Sequence, residues 1–288
     1  MTHTLPFSQV DVFTTGPVLG NPLAVVHDAD GLTDEEMAAF ARWTNLSETT
    51  FLLSPANPGA DYRVRIFTTS GELPFAGHPT LGSAHAWLES GGVPAAAHGR
   101  ADVVQECGAG LVTVRRSPAP GGGARLAFAA PPLVRTGVPS SAELERACAA
   151  LRIAPGDVVD ATWLVNGPEW LGLRLRDAAA VLAVEPDLAA LAGVSVGVVG
   201  PWGDSPGAPG DADVEVRAFA DDREDPVTGS LNAGLGQWLA GTVLPPSYVA
   251  SQGTALQRRG RVHVELDADG QVWVGGATTT TVRGTLAL

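Results

Sequence analysis

The segment Asp61-Tyr-Arg-Val-Arg-Ile-Phe67 is echoed by Asp213-Val-Glu-Val-Arg-Ala-Phe219. Both read D-x-x-V-R-x-F, and they lie 152 residues apart. Downstream, His78-Pro-Thr-Leu-Gly-Ser83 pairs with Asp225-Pro-Val-Thr-Gly-Ser230 as x-P-x-x-G-S, and upstream Gly16-Pro17 pairs with Gly167-Pro168. Each copy of the first motif follows a Pro/Gly-rich loop, at 55–60 and 201–210. Three matches in one order at nearly constant spacing point to a duplicated domain. A length of 288 residues suits two such copies better than one larger domain.

Local signals fill in each copy. Thr33-x-x-Glu36 is a capping box, with Leu32 and Met37 spaced as a hydrophobic staple. Ser140-x-x-Glu143 plays the same part in the second half, and Leu144, Ala147, Cys148 and Leu151 share one face of the helix it opens. Helical stretches 84–88 and 231–239 both end in Trp-Leu or near it. Val103–Cys107 and Leu111–Val114 flank a Gly-Ala-Gly turn, and Val262–Leu266 and Val272–Val274 flank Asp-Ala-Asp-Gly, as β-hairpins. Ser117-Pro-Ala-Pro-Gly-Gly-Gly123 reads as the linker. The expected class is α+β, with halves 1–118 and 119–277. No G-x-G-x-x-G opens a helix, so a Rossmann dinucleotide site is not supported.

Composition removes several chemistries. Net charge is −13, which repels phosphate backbones and anionic membranes, so neither nucleic acid nor membrane is an expected partner. All 18 basic residues are arginine. Without lysine there is no Schiff base for pyridoxal phosphate and no P-loop cation. No apolar run is long enough to span a bilayer, and no basic-then-apolar leader opens the chain, so a cytoplasmic location is expected. The six histidines, His3, His27, His78, His85, His98 and His263, show no metal-ligand spacing, and G-x-S-x-G is absent. Cys107 and Cys148 fall on a strand and a helix face and read as core residues.

Three residues remain as chemistry. His78 and Asp225 each precede a proline, which favours the first helical position, so both are expected at helix N-caps beside exposed N–H groups. Such a place suits a carboxylate or a developing oxyanion. Gly77, Gly82 and Gly229 let backbone approach a ligand. Both residues also have a purely structural use, since aspartate is a favoured cap and histidine often only packs. Glu48 lies between the capped helix and the apolar strand Phe51-Leu-Leu53. A loop glutamate is ordinarily exposed. The second half has Val-Gly-Val-Val-Gly at that point and no acid, so Glu48 breaks the repeat as a single acid/base would.

At this point the chain resembles the phenazine-biosynthesis isomerase family (PhzF-like proteins), within the diaminopimelate-epimerase-like fold. The resemblance rests on Val10-Asp-Val-Phe13, Gly20-Asn-Pro-Leu-Ala-Val-Val26, Ser47-Glu-Thr-Thr-Phe-Leu52, Glu72-Leu-Pro-Phe-Ala-Gly-His-Pro-Thr80 and Glu224-Asp-Pro-Val-Thr-Gly-Ser230, with Gln252-Gly253 and Val274-Gly-Gly276 near the end. It implies two pseudo-symmetric domains, each a mostly antiparallel sheet wrapped around a central helix, with the last strand (about 278–288) returning to the first domain and the site in the cleft between them. It further implies a homodimer and no cofactor or metal. Glu48, His78 and Asp225 match the family's catalytic residues. Gly77, Gly229 and Ser230 match positions near the substrate, and Asn21 and Ser47 lie in matching motifs. The related epimerases carry a cysteine pair on these turns, which this chain lacks. Leu231 stands where a smaller residue is usual.

The expected reaction follows from the resemblance. A small cyclic or amino-acid-like carboxylate binds at a helix N-terminus. Glu48, with its pKa raised by enclosure, moves a proton between carbons, while His78 and Asp225 polarise a substituent. The reference substrate implied is trans-2,3-dihydro-3-hydroxyanthranilate. A cofactor-independent amino-acid racemase or epimerase, and a non-catalytic small-molecule binding protein, are the two alternatives.

Overall fold

The computed structural model describes residues 3–94, 102–118, 124–191, 193–203, 207–220 and 223–288. His98 and most of the expected linker therefore lie outside the described residues. The chain divides into two compact units, Met1–Ala129 with Gly275–Leu288, and Ala130–Val274.

In the first unit β1 (Thr4–Val12) and β2 (Asn21–Val26) form an antiparallel pair. Helix α1 (Asp34–Thr44) leads to β3 (Thr49–Leu53), which lies parallel to β2. Strand β4 (Tyr62–Phe67) runs antiparallel to β3 and to the short β5 (Glu72–Leu73). Helix α2 (Gly77–Glu89) follows, then β6 (Val103–Cys107), parallel to β4, and the antiparallel strands β7 (Gly110–Pro118) and β8 (Ala124–Ala129). The capping box forms as expected, with Thr33 Oγ1 accepting from Glu36 N–H and Glu36 accepting from Thr33 N–H. Leu32 and Met37 are both buried in the cluster with Phe40 and Phe51.

The second unit opens with α3 (Ser141–Leu151), then repeats the plan: β9 (Val158–Val165) antiparallel to β10 (Glu169–Leu175), α4 (Ala178–Leu182), and β11 (Ser195–Pro201) parallel to β10. Strand β12 (Val214–Ala220) runs antiparallel to β11 and to the short β13 (Arg223–Asp225). Helix α5 (Gly229–Leu239) is followed by β14 (Ser247–Gln252), parallel to β12, and β15 (Gly260–Leu266), antiparallel to β14. Strand β16 (Val272–Gly276) leads back, and β17 (Thr278–Ala287) pairs antiparallel with β1 along its length. Helix α2 packs against β1, β2, β3, β8 and β17, and α5 against β9, β10 and β15. Each unit is thus a mostly antiparallel sheet around one apolar helix.

Three expectations need correction. The division falls at Ala129, beyond the proline-glycine stretch, because β8 zips onto β7 in a hairpin that keeps it in the first unit. The capping box at Ser140 does form, but α3 precedes β9 and has no counterpart in the first unit. The helix in the place of α1 is α4, capped by Asp177, whose side chain accepts from Ala180 N–H. Likewise Gly167-Pro168 directly precedes β10 as Gly20-Asn21 includes the start of β2, so the match to Gly16-Pro17 is out of register.

The repeated D-x-x-V-R-x-F motif does the same work twice. Asp61 and Asp213 each accept from a neighbouring strand's N–H, of Val104 and Val249, at 2.7 Å. Val64, Val216, Phe67 and Phe219 are buried. Arg65 grips Glu72 through Nε and Nη2 at 2.8 and 2.6 Å, and Arg217 grips Glu224 in the same way at 2.9 and 2.8 Å. Each arginine also lies 5.0 Å from its motif phenylalanine ring. The two clamps differ in burial. Arg217 is 5% exposed and also donates to the carbonyls of Val181 and Val184 at the end of α4, whereas Arg65 is 17% exposed. Breaking a buried pair strands its partner, which costs about 3–5 kcal/mol. Arg217→Ala is therefore expected to lower urea-unfolding stability by about that much, and Arg65→Ala by clearly less. Equal losses would remove the distinction.

Candidate active site

Glu48 sits in the loop between α1 and β3, its backbone directed by Asn45, which closes α1 in the left-handed region at φ 55°. Its side chain is 16% exposed, against the usual exposure of a loop glutamate. Glu48 Oε2 lies 3.5 Å from His78 Nε2, and His78 is 5% exposed. The first unit therefore brings two of the expected site residues together.

His78 is not the N-cap. That position is Ala76, Gly77 is the first helical residue, and His78 and Pro79 complete the first turn. Asp225 is displaced further, ending β13, while Thr228 is the N-cap of α5 and Gly229 its first residue. The reason is register. The two central helices begin at Gly77 and Gly229, 152 residues apart like the strand motif, whereas x-P-x-x-G-S paired the residues at 147. His78 thus corresponds to Ser230, not to Asp225.

Strand pairing also fixes what stands opposite Glu48 in the repeat. Thr49 pairs with Phe67, and Val196 with Phe219. The residues just before them, Glu48 and Ser195, are equivalent. The second unit has a serine there, not an acid.

Neither central helix has a side-chain cap, although α1, α3 and α4 all do. Thr228 is a good capping residue by type, but its hydroxyl is turned away. It donates to Asp225 Oδ2 at 2.5 Å and accepts from Gln252 Nε2 at 2.9 Å, and Gln252 Oε1 accepts from Thr228 N–H. Gln252 Nε2 also reaches the Asp225 carbonyl, and Asn232 Nδ2 reaches Gln252 Oε1. The network holds Asp225 in place and leaves the start of α5 without a side-chain cap. The first intrahelical bonds come from Asn232 N–H in α5 and Thr80 N–H in α2. The turn before each leaves N–H groups outside the helical ladder, three in α5 and two in α2, where Pro79 has none. Both ends favour negative charge.

Asn21 is fully buried at the start of β2, after the turn in which Asp11 Oδ2 accepts from Leu19 and Gly20 N–H at 2.8 and 2.9 Å. Ser47 is half-buried beside Glu48. Gly82 is required for packing, since a Cβ there would come within 2.5 Å of Leu23. The other described histidines serve structure where their bonds are seen: His27 pairs with Ser8 and His85 with Thr280. Both cysteines are buried thiols. Among the described residues no cluster of three His, Cys, Asp or Glu is arranged to hold a metal. No helix among them is long and apolar enough to cross a membrane.

Leu231, the third residue of α5, turns its side chain onto the sheet. It is fully buried and lies over Gly197 of β11, where an added Cβ would be 2.4 Å from Leu231 Cδ1. Gly197→Ala is expected to cost about 1–3 kcal/mol by overpacking. Gly197→Ala with Leu231→Ala should lose less than the two single losses added, measured by thermal unfolding. Simple addition would show that the two do not touch.

Burial pushes His78 down to about 3, and the carboxylate at 3.5 Å does not offset it. The imidazole is neutral at physiological pH, so it offers a hydrogen bond and not a charge. The unfolded chain takes this proton near 6.5 and the folded chain only near 3. Stability present above pH 6.5 is therefore lost as pH falls toward 3. The His78 ring resonances should not titrate between pH 8 and 5 by NMR, and His78→Gln should flatten the decline of Tm across the acid window. A His78 midpoint near 6.5 would contradict this.

Residues 10–285 match the family described as phenazine biosynthesis-like proteins. The chain is 35% identical over 302 aligned residues to antisense-enhancing sequence 1 of Schizosaccharomyces pombe, covering 96% of this chain and 97% of that one. It is 34% identical over 290 residues to a Pseudomonas aeruginosa protein named as an uncharacterized isomerase, covering 99% of each. Over 75 residues, 26% of this chain and 27% of the other, it is 55% identical to trans-2,3-dihydro-3-hydroxyanthranilate isomerase of Pseudomonas aeruginosa. Among solved structures, a Bacillus anthracis phenazine biosynthesis protein of the PhzF family superposes with a TM-score of 0.84 at 22% identity, covering 99% and 100%. A hydroxyproline epimerase from Agrobacterium vitis superposes at 0.57 and 14% identity, covering 99% and 93%. These two likenesses are of fold.

Proposed function

Because the chain belongs to the phenazine biosynthesis-like family and is an enzyme of the isomerase kind, we propose that it moves a proton between carbons of a small cyclic or amino-acid-like carboxylate without a cofactor. The reaction resembles that of trans-2,3-dihydro-3-hydroxyanthranilate isomerase. The observation that carries this is Glu48 set 3.5 Å from the buried, neutral His78 at the uncapped start of α2.

In this reading Glu48 takes a proton from one carbon and returns it to another, and a double bond shifts as it does so. A carboxylate so placed can act as base in one step and acid in the next. Neutral His78 donates a hydrogen bond to oxygen or nitrogen as electron density builds there, with no proton lost. Asp225 and Ser230 stand in the role of further substrate contacts. Asp225 accepts from an amino or hydroxyl substituent, and the N–H groups of Gly229, Ser230 and Leu231 receive the carboxylate. Asn21, Ser47 and Gly77 stand in the role of substrate contacts. The register favours isomerisation over racemisation, because Ser195 and Ser230 occupy the places of Glu48 and His78 and supply no second acid/base pair. The active species is proposed to be a cytoplasmic homodimer.

The test is incubation of trans-2,3-dihydro-3-hydroxyanthranilate with the protein in D₂O. Deuterium should enter at the carbon that gains the proton as the double bond migrates. Glu48→Gln should lower kcat by about 10²–10⁴ with binding retained, the range general acid–base catalysis supplies. Full turnover by Glu48→Gln would overturn the mechanism. Exchange with inversion and no double-bond migration would favour an epimerase, and binding without exchange a binding protein.

A further inference from the structure

Two residues with no place in the reading above converge on Ser230. Trp170, the second residue of β10, donates from its indole Nε1 to Ser230 Oγ at 3.0 Å. Asn166, just after β9, donates from Nδ2 to the Ser230 carbonyl at 2.9 Å. Both are buried, at 3% and 8% exposure. They stand on either side of the tight turn at Gly167-Pro168, whose glycine has φ 134°. One hairpin tip therefore grips the first turn of α5 from both its side chain and its backbone.

Hydrogen-bond polarity decides what this grip does. An indole N–H can only donate, so it fixes Ser230 Oγ as acceptor in that contact. A hydroxyl has one proton of its own, and among the described residues no acceptor takes the proton of Ser230. Ser230 is half-buried at the second position of an uncapped helix of 11 residues, so the proton is left for an acceptor outside the protein. The same Asn166 side chain supplies a second sign that this end is built for a ligand: its buried Oδ1 has no hydrogen-bond partner and, being an acceptor, fits a donor such as an amino group next to the carboxylate. A buried polar atom left so is costly unless something fills the role.

The device belongs to the second unit alone. Ala24 pairs with Thr49 and Leu171 with Val196, so Leu23 is the counterpart of Trp170. Leucine cannot donate, and its partner position carries His78 instead of serine. The duplicated scaffold has thus been given a donor-orienting contact at one helix start only.

We propose that Trp170 is a positioning residue: by filling one lone pair of Ser230 Oγ it turns the hydroxyl proton toward the start of α5, where a charge-assisted bond favours an anionic carboxylate over a neutral amide of the same shape. This rests on the reading that α5 receives the substrate carboxylate, and it adds the group that makes the choice.

The experiment uses the intact protein with two probes of one shape, anthranilate and anthranilamide, and follows binding by calorimetry. Wild type should prefer anthranilate. Trp170→Phe, which keeps the bulk and removes the donor, should weaken anthranilate about 5- to 10-fold and anthranilamide less than 2-fold. Ser230→Ala should do the same, and the double variant should be no worse than Ser230→Ala. Ser230→Thr should retain the preference. In the unliganded protein the Trp170 indole N–H resonance should move in Ser230→Ala. If Trp170→Phe weakens both probes equally, Trp170 is only packing. If it weakens neither while Ser230→Ala weakens anthranilate, Ser230 acts without it. Either result overturns the proposal with the carboxylate reading intact. Loss of the carboxylate preference in wild type overturns both, and the Glu48→Gln exchange experiment then judges the acid/base mechanism by itself.

Discussion

The clamp between a strand arginine and a glutamate on the next short strand is the contact on which the site depends. Arg65 with Glu72, and Arg217 with Glu224, each fasten β4 or β12 to the strand that leads into the central helix. Paired forked contacts fix direction as well as distance. A few residues later the chain must turn inward and start a helix at a glycine. If that short strand were free to shift, Gly77 and Gly229 would not begin α2 and α5 where they do, and the N–H groups of the first turns would point elsewhere.

The central helices are unusual in the same way as each other and unlike the rest. Elsewhere the protein caps its helices with Thr33, Ser140 and Asp177 in the ordinary manner. At α2 and α5 it forgoes the contribution of a cap, about 1 kcal/mol each. Thr228 shows that the omission is structural, since a capable residue is present and is held by Asp225 and Gln252 instead. The same bonds that deny α5 a cap are the ones that hold Asp225.

Scaffold and chemistry have diverged to different degrees. The motif aspartate and arginine keep equivalent strand partners in both units, and the motif valine and phenylalanine stay buried. Around the helix starts almost nothing is shared: Glu48 faces Ser195 in the repeat, His78 faces Ser230, and Leu23 faces Trp170. The two units share what shapes the sheet and differ at the starts of their central helices.

Much of this was legible in the residues. D-x-x-V-R-x-F marked the repeat because each of its residues has an obligatory partner within its own unit. The capping boxes at Thr33 and Ser140 declared themselves because capping is local, decided within four residues. Glu48 stood out as an acid with no twin. The register of the second repeat did not, because the connection between β11 and β12 is longer than that between β3 and β4, and a short x-P-x-x-G-S match slid across the difference. Nor could the sequence show that α3 has no counterpart, or that Leu231 packs on Gly197 away from the helix start. Trp170, Asn166, Thr228 and Gln252 were invisible as a set, since what joins them is contact across 20 to 64 residues of chain. The sequence by itself determined the duplicated plan and the chemical inventory, because both are carried by local pattern. Only the tertiary structure decided which polar atoms are satisfied and which helix ends lack a side-chain cap, because hydrogen-bond partners are assigned by packing and not by order along the chain.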